Sequence, residues 1–322
     1  MALSDMQVFN QYLMEAVAET LPQQVEKFNG ASNGAIVLTS MDFEGDYFER
    51  SFYSALHSAQ RRVDRYAANN AQSSTALAQL KEASVKVAGG FGPILFEPAQ
   101  MTWIRKNTAE AIAVMSQQLS EAMMADQLNS AIAALVAAIS NQAAATNDVS
   151  GSAGISYTAI NNAHAKFGDS SMSLIAQVMN GTAYHKLIGQ NLANTPQLFQ
   201  AQNVMVVDIL GKPVIVTDAP ALYEAGVPNK LKVLSLAASA ATVMDGSEVV
   251  SNIETSNGKE RIESTMQADY SFGLGLKGYT WDTTNGGKSP TDAEIATGTN
   301  WDKVATDIKH TAGVITIGDA DQ

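Results

Sequence analysis

Along residues 107–141 apolar side chains return every three or four positions, and Ile112, Met115, Leu119, Met123, Met124, Leu128, Ile132, Leu135 and Ile139 trace a stripe winding slowly round a helix. No Pro or Gly interrupts the run, and Asn107 with Glu110 three residues on has the pattern of a capping box. At about 1.5 Å per residue such a helix spans roughly 50 Å, whereas the mean globular helix has about 11–12 residues. A drifting stripe offers more than one packing surface, so this helix is expected to join parts of a molecule. A coiled coil is disfavoured, because the heptad is not sustained and no second helix of matching length is predicted.

The flanking patterns are mixed. Residues 4–28 read as helical, with Phe9, Leu13, Val17 and Leu21 at four-residue steps and a break at Pro22. They form either a simple surface helix or an arm lying on a neighbour. The 30–34 turn leads into a β-prone run at 35–39. Residues 46–98 change character: aromatics and the basic cluster Arg61, Arg62 and Arg65 precede a small polar stretch and then SVKVAGGFGPILF. The two flanks are expected to pair as arms of a long excursion with a soft tip near 69–75. Beyond the long helix, NQAAATNDVSGSAG is a small-residue connector that marks the best domain boundary.

A compact α/β segment follows. It comprises a helix at 156–167, a strand at 172–179, a helix at 182–192 with Tyr184, Leu187 and Ile188 on one face, and strands at 204–209 and 214–217 around a 210–213 turn containing Pro213. A further strand covers 231–236, giving a mixed sheet with helices on its faces. Strands return from Val249, with Asn257-Gly258 as a hairpin turn. The stretch after Trp281 is loop-like, and the chain closes with a helix start at Trp301 and a last strand.

Composition narrows what these elements do. With 322 residues the chain makes one large domain or two ordinary ones and can bury a sizeable core. Charged residues are only 16% against 46% apolar, so the surplus apolar surface is expected to meet other subunits. A net charge of -12 argues against a protein that grips phosphate backbones, leaving any nucleic-acid contact weak and nonspecific. The three arginines fit nucleic acid or carboxylates, and in so acidic a chain pairing with carboxylates, on this or another subunit, is favoured. There is no Cys, which excludes disulfides, thiolate metal sites and Cys nucleophiles. The amino end lacks a signal-peptide pattern and the apolar run 131–139 is too short to span a bilayer, so a soluble product made in a cytoplasm, with no membrane partner, is expected.

Three short motifs sit in the wrong context. Gly30-Ala-Ser32-Asn-Gly34 fits a nucleophile elbow, but helix and strand come in the reverse order, leaving Ser32 a turn residue. Gly273, Gly275 and Gly278 fit a dinucleotide fingerprint yet lead into a β-prone run, not a helix. Gly287-Lys288-Ser289 resembles the end of a phosphate loop, but Asp282 replaces its first Gly and Pro290 follows. His57, His164, His185 and His310 are scattered without metal-ligand spacing. No catalytic residue, cofactor-binding residue or metal ligand is assigned.

In series, these elements resemble the major capsid proteins of tailed bacteriophages, the Hong Kong 97 type, over nearly the whole chain. LSDMQVFNQYL, SVKVAGGFGPI, AHAKFGDSSMSLIAQVMNGTAYHKL, LGKPVIVTDAP and NWDKVATDIKHTAGVITI resemble a siphophage branch of that family. The resemblance implies an α+β capsid fold: an amino-terminal arm (1–45), an extended β loop (46–98), a peripheral domain with a spine helix (99–154), an axial α/β domain (155–247) and peripheral strands (248–322). It implies a homo-oligomer of hexamers and pentamers that self-assembles into an icosahedral head shell, with the extended loop over a neighbouring subunit. Implied partners are a separate scaffolding protein, a portal, a decoration protein and packaged double-stranded DNA held nonspecifically. Lys81 and Lys86 fall near the loop that carries a cross-linking Lys in one relative. The alternative is an encapsulin-type nanocompartment on the same fold.

Overall fold

The computed structural model describes residues 9, 12, 13, 15–17, 19–21, 25, 26, 28–30, 32–39, 41, 45–53, 60–68, 71–74, 76–97, 100, 102, 104, 106, 108–194, 208, 209, 211–257, 260 and 262–322. Its central element is α1 (Thr108–Ser140), 33 residues long. Asn107, the expected cap, lies outside the described residues, and Asn141 begins the turn after the helix. Positions 130–139 are buried on nearly every side, whereas the first half buries a narrow face of Ala111, Ser116, Ser120, Met123 and Gln127. Apolar Ile112, Met115 and Leu119 flank that face, half-buried.

Two sheets lie against α1. The first runs β1-β10-β11-β3-β2 and is built from β1 (Ile36–Thr39), β2 (Tyr47–Tyr53), β3 (Gln79–Phe96), β10 (Ala241–Ser256) and β11 (Glu263–Leu276). The second runs β4-β14-β9-β5-β7-β6 with β8 added against β9. Its strands are β4 (Thr146–Asp148), β5 (Leu174–Met179), β6 (Asp208–Ile209), β7 (Lys212–Val216), β8 (Tyr223–Glu224), β9 (Lys230–Ala237) and β14 (Gly313–Asp319). Leu234, Leu236, Ile315, Ile317, Ala176 and Val178 from the second sheet share one core with Ile132, Leu135 and Ile139 of α1 and with Val85, Val243 and Phe272 of the first. The other face of the second sheet is covered by α2 (Tyr157–Ala165) and α3 (Gly181–Asn194), where Ile160, Ala183 and Leu187 meet Met179, Leu231 and Val233. A separate cluster of Phe9, Leu13, Phe96, Ile104, Ala111, Ile253 and Met266 seats the amino-terminal helical residues on the start of α1. Thr20 Oγ1 and Ser120 Oγ, 2.7 Å apart, add a polar contact there. One helix therefore belongs to both cores, as its drifting stripe requires.

Several local expectations change. The 141–154 connector contains β4, which pairs in parallel with β14. The expected 210–213 turn is tighter: Ile209 pairs with Lys212 and Asp208 with Pro213, so Pro213 lies in β7 and Gly211, at φ 76°, supplies the left-handed turn residue. Residues 201–207 of the expected strand lie outside the described ones. The late strands begin at Ala241, not Val249, because β1 pairs with Ala241–Met244. Pairing of β10 with β11 ends at Ser256 and Glu263, wider than an Asn257-Gly258 turn needs; Gly258 is outside the described residues. Trp301 opens a strand, β13 (Trp301–Lys303), paired with β12 (Tyr279–Trp281), and not a helix. The buried indoles of Trp281 and Trp301 meet edge to face at 4.9 Å, holding that pair, and α4 (Asp292–Ile295) interrupts the loop between them. Finally, α1 is long and apolar enough to cross a membrane, which the run 131–139 alone did not reveal; its best 18-residue window has mean hydropathy 1.4 and is 61% buried inside the fold.

Candidate assembly surface

The part of the chain with least body of its own is the excursion after β1. β3 has 18 residues, about 60 Å of strand at roughly 3.3 Å per residue. Its second half is held in the sheet by pairing with β11 from Val85 to Phe96. Its first half pairs with β2 alone, from Gln79 opposite Tyr53 to Val85 opposite Tyr47. The two arms thus form the hairpin expected from their β-prone flanks. Where the ribbon leaves the sheet, Ala83, Ser84 and Val85 are still buried, burial along β3 then gives way to exposed and half-exposed residues from Glu82 to Gln79, and Lys81 and Glu49 make a solvent-facing ion pair across the strands at 3.1 Å. Past the ribbon, residues 60–68 and the described residues of 71–78 have no regular structure and are exposed. Val63 is 65% and Tyr66 91% exposed, an arrangement with no counterpart in a self-contained core.

Arg61, Arg62 and Arg65 lie in this tip, and among the described residues they form no ion pair. The Arg65 guanidinium sits 5.8 Å above the Tyr66 ring. Asp64 turns inward to its own backbone, accepting the Tyr66 N–H at 2.9 Å.

At the root of the ribbon the first sheet lines a groove of about 790 Å³. Met41, Phe48, Met244 and Leu276 form apolar walls around Arg50, Glu82 and Lys277. Gly275 lines the groove beside Ser84, because any Cβ there would strike the Ser84 side chain. Burial raises the Glu82 carboxyl above its usual range, opposed in part by the Gly278 N–H at 3.2 Å and by the charge of Arg50. No motif pointed to this groove; a lone Glu in a β-prone run carries no local signal.

The remaining candidates resolve into structural roles. Ser32 is buried in a turn between helical residues and β1, donating from Oγ to the Ile36 carbonyl at 3.1 Å and the Asn29 carbonyl at 3.2 Å. Gly273 and Gly275 lie within β11, and Gly278 makes the β11–β12 turn at φ 77°. Lys288 pairs with Asp46 at 3.3 Å, tying the loop after β12 to the entry of the ribbon, and the Gly287 carbonyl accepts the Trp281 indole N–H at 3.0 Å. His164 is buried, within 2.9 Å of Ser235 Oγ. His185 lies edge-on to Tyr184 and His310 is exposed; His57 lies outside the described residues. Among the described residues no group of three or more His, Asp or Glu side chains is placed to hold a metal.

A model of the Gp13-like family, described as major capsid protein 13-like, matches residues 5–315. No curated protein matches the chain. Solved structures with the same fold include the acid-stable capsid of Helicobacter pylori bacteriophage KHP30, at 12% identity over 91% of this chain and 89% of that one with a TM-score of 0.50. The capsid of cyanophage Pam1 aligns at 12% identity over 88% of both chains with a TM-score of 0.52. Microbacterium phage Oxtober96 aligns at 12% identity over 90% of both chains with a TM-score of 0.50. The α+β architecture expected from the sequence is therefore that of phage capsids, and the encapsulin alternative is not favoured. With a match over nearly its full length, the chain belongs to the Gp13-like family of major capsid proteins and is a phage head shell subunit.

Proposed function

We propose that copies of this chain tile the shell as hexamers and pentamers, each ribbon completing its burial on a neighbour. The observation that carries this reading is the β2–β3 ribbon, whose outer half and tip leave the fold with large apolar side chains exposed. A lone two-stranded ribbon is marginal in water, while subunits of permanent assemblies typically bury 2,000 Å² or more against one another. The division into arm (1–45), loop (46–98), peripheral segments (99–154 and 248–322) and axial domain (155–247) belongs to the same proposal. So do a separate scaffolding protein, a portal and a decoration protein as partners, and assembly in the host cytoplasm. Packaged DNA meets a subunit of net charge -12, which favours loose, nonspecific contact. The roles found for Ser32, Gly273 and Lys288 support a subunit without catalytic activity. Sedimentation of the purified protein with and without its scaffolding protein tests the reading: capsomers or closed particles are expected, and a monodisperse monomer in both would contradict it.

A further inference from the structure

The two faces of the first sheet differ sharply beyond the bulge in β10 between Asp245 and Val249. Ile253, Met266, Ala268 and Tyr270 point to the core, while the residues next to them along each strand point away. On that outward face Val250 stands opposite Asp269, Asn252 opposite Gln267, and Glu254 opposite Thr265. Val250 is 73% exposed, and the Glu254 and Asp269 side chains are exposed. Some other surface acids are matched within the chain: Glu49 to Lys81, Asp46 to Lys288, Asp169 to Lys309, and Glu224 to Lys230 and Lys232. Asp282 and Glu294 accept hydrogen bonds from the backbone of their own turns. Glu254 and Asp269 form no ion pair among the described residues, although Gln267 Nε2 donates to Asp269 at 3.2 Å.

The ribbon tip is the complement of this face: three arginines without carboxylate partners among the described residues, beside exposed Val63 and Tyr66. The groove at the ribbon's root is a poorer seat for it, since Arg50 and Lys277 outnumber Glu82 there and repel a basic insert. We infer that the tip, through Arg61, Arg62 and Arg65, docks on the Glu254 and Asp269 face of a second copy, with Val63 against Val250. The inference rests on the shell reading and adds to it the surface that receives the loop. Because the charges are exposed, this docking weakens with salt and acts chiefly to select register and partner.

The test uses the full-length chain assembled with its scaffolding protein. Reversing the tip (Arg61→Glu, Arg62→Glu and Arg65→Glu together) is expected to lower particle yield at least tenfold, as is Glu254→Lys with Asp269→Lys, while both sets combined recover much of the loss. All these positions are exposed, so thermal unfolding of the free subunit should not move. The absence of native Cys permits a second readout: a Val63→Cys, Val250→Cys chain should give disulfide-linked multimers in particles, and neither single variant should. Unchanged yield after tip reversal, failure of the combined set to recover, or particles that assemble without the cross-link would each overturn the docking. So would normal particle yield with reduced DNA content, which would assign the tip to nucleic acid. Wild-type protein that forms no particles would overturn the shell reading itself.

Discussion

His164 shows how a residue flagged for chemistry serves packing. It projects from α2 to Ser235 on β9, and burial, with the nearby Lys212 charge second, lowers its pKa from 6.5 to about 4. Lys212 is itself fixed, donating to the Ser171 carbonyl at 3.1 Å and to the Leu174 carbonyl. The unfolded chain therefore binds the proton more readily than the folded one between pH 6.5 and 4, and this part of the stability, complete above 6.5, is lost as pH falls through that window. Thermal unfolding of the subunit should show a loss on the order of 3 kcal/mol by pH 4, and His164→Gln should flatten the dependence. Gly278 is a second case. It combines φ 77° with a site where a Cβ would lie 2.9 Å from the His310 carbonyl, so Gly278→Ala is expected to destabilise by about 1–3 kcal/mol in denaturant unfolding. The dinucleotide-like glycines were thus legible as glycines a bent sheet needs, because the β-prone run after them was visible. The polar centre of the helix face was not legible: Ser120 and Gln127 interrupt the apolar period, and only the partners Thr20 and Asp245, far away in sequence, show why they are buried.

At the scale of elements, α1 and the ribbon have opposite fates. Leu135 is fully buried where α1 meets both sheets, so Leu135→Ala should cost about 2–5 kcal/mol in equilibrium unfolding. Polar ties brace the same junction, Gln127 Nε2 to Asp245 at 2.9 Å and Tyr270 Oη to Asp126 at 2.6 Å. Toward the tip from Ala83, whose N–H donates to Thr280 Oγ1 at 2.8 Å, β3 has no buried residue, and the ribbon's amides at 50–53 and 79–82 should exchange fast in free subunits and at least tenfold more slowly in particles. Equal protection in both states would show that the ribbon needs no neighbour. Long elements were readable from their period, whereas short strands such as β4 and β13 were not. Thr146–Asp148 and Trp301–Lys303 acquire strand geometry from β14 and β12, contacts no local pattern encodes.

For the whole molecule, the decisive quantities are a low charge fraction, a basic tip without ion pairs among the described residues and a core that stops short of the ribbon's outer end. The order of parts carried the family resemblance despite the 12% identity to the structures that share the fold. The receiving surfaces were hidden because they arise from strand register, which turns Glu254 and Asp269 to one face. The account depends on the ribbon finding its burial on another copy. Imaging assembled particles by electron microscopy, to a resolution that traces the chain, tests this most directly. The account predicts closed shells in which the outer ribbon and tip of each subunit, residues 50–82, lie across a neighbour; a ribbon folded back on its own body, touching no other copy, would contradict it.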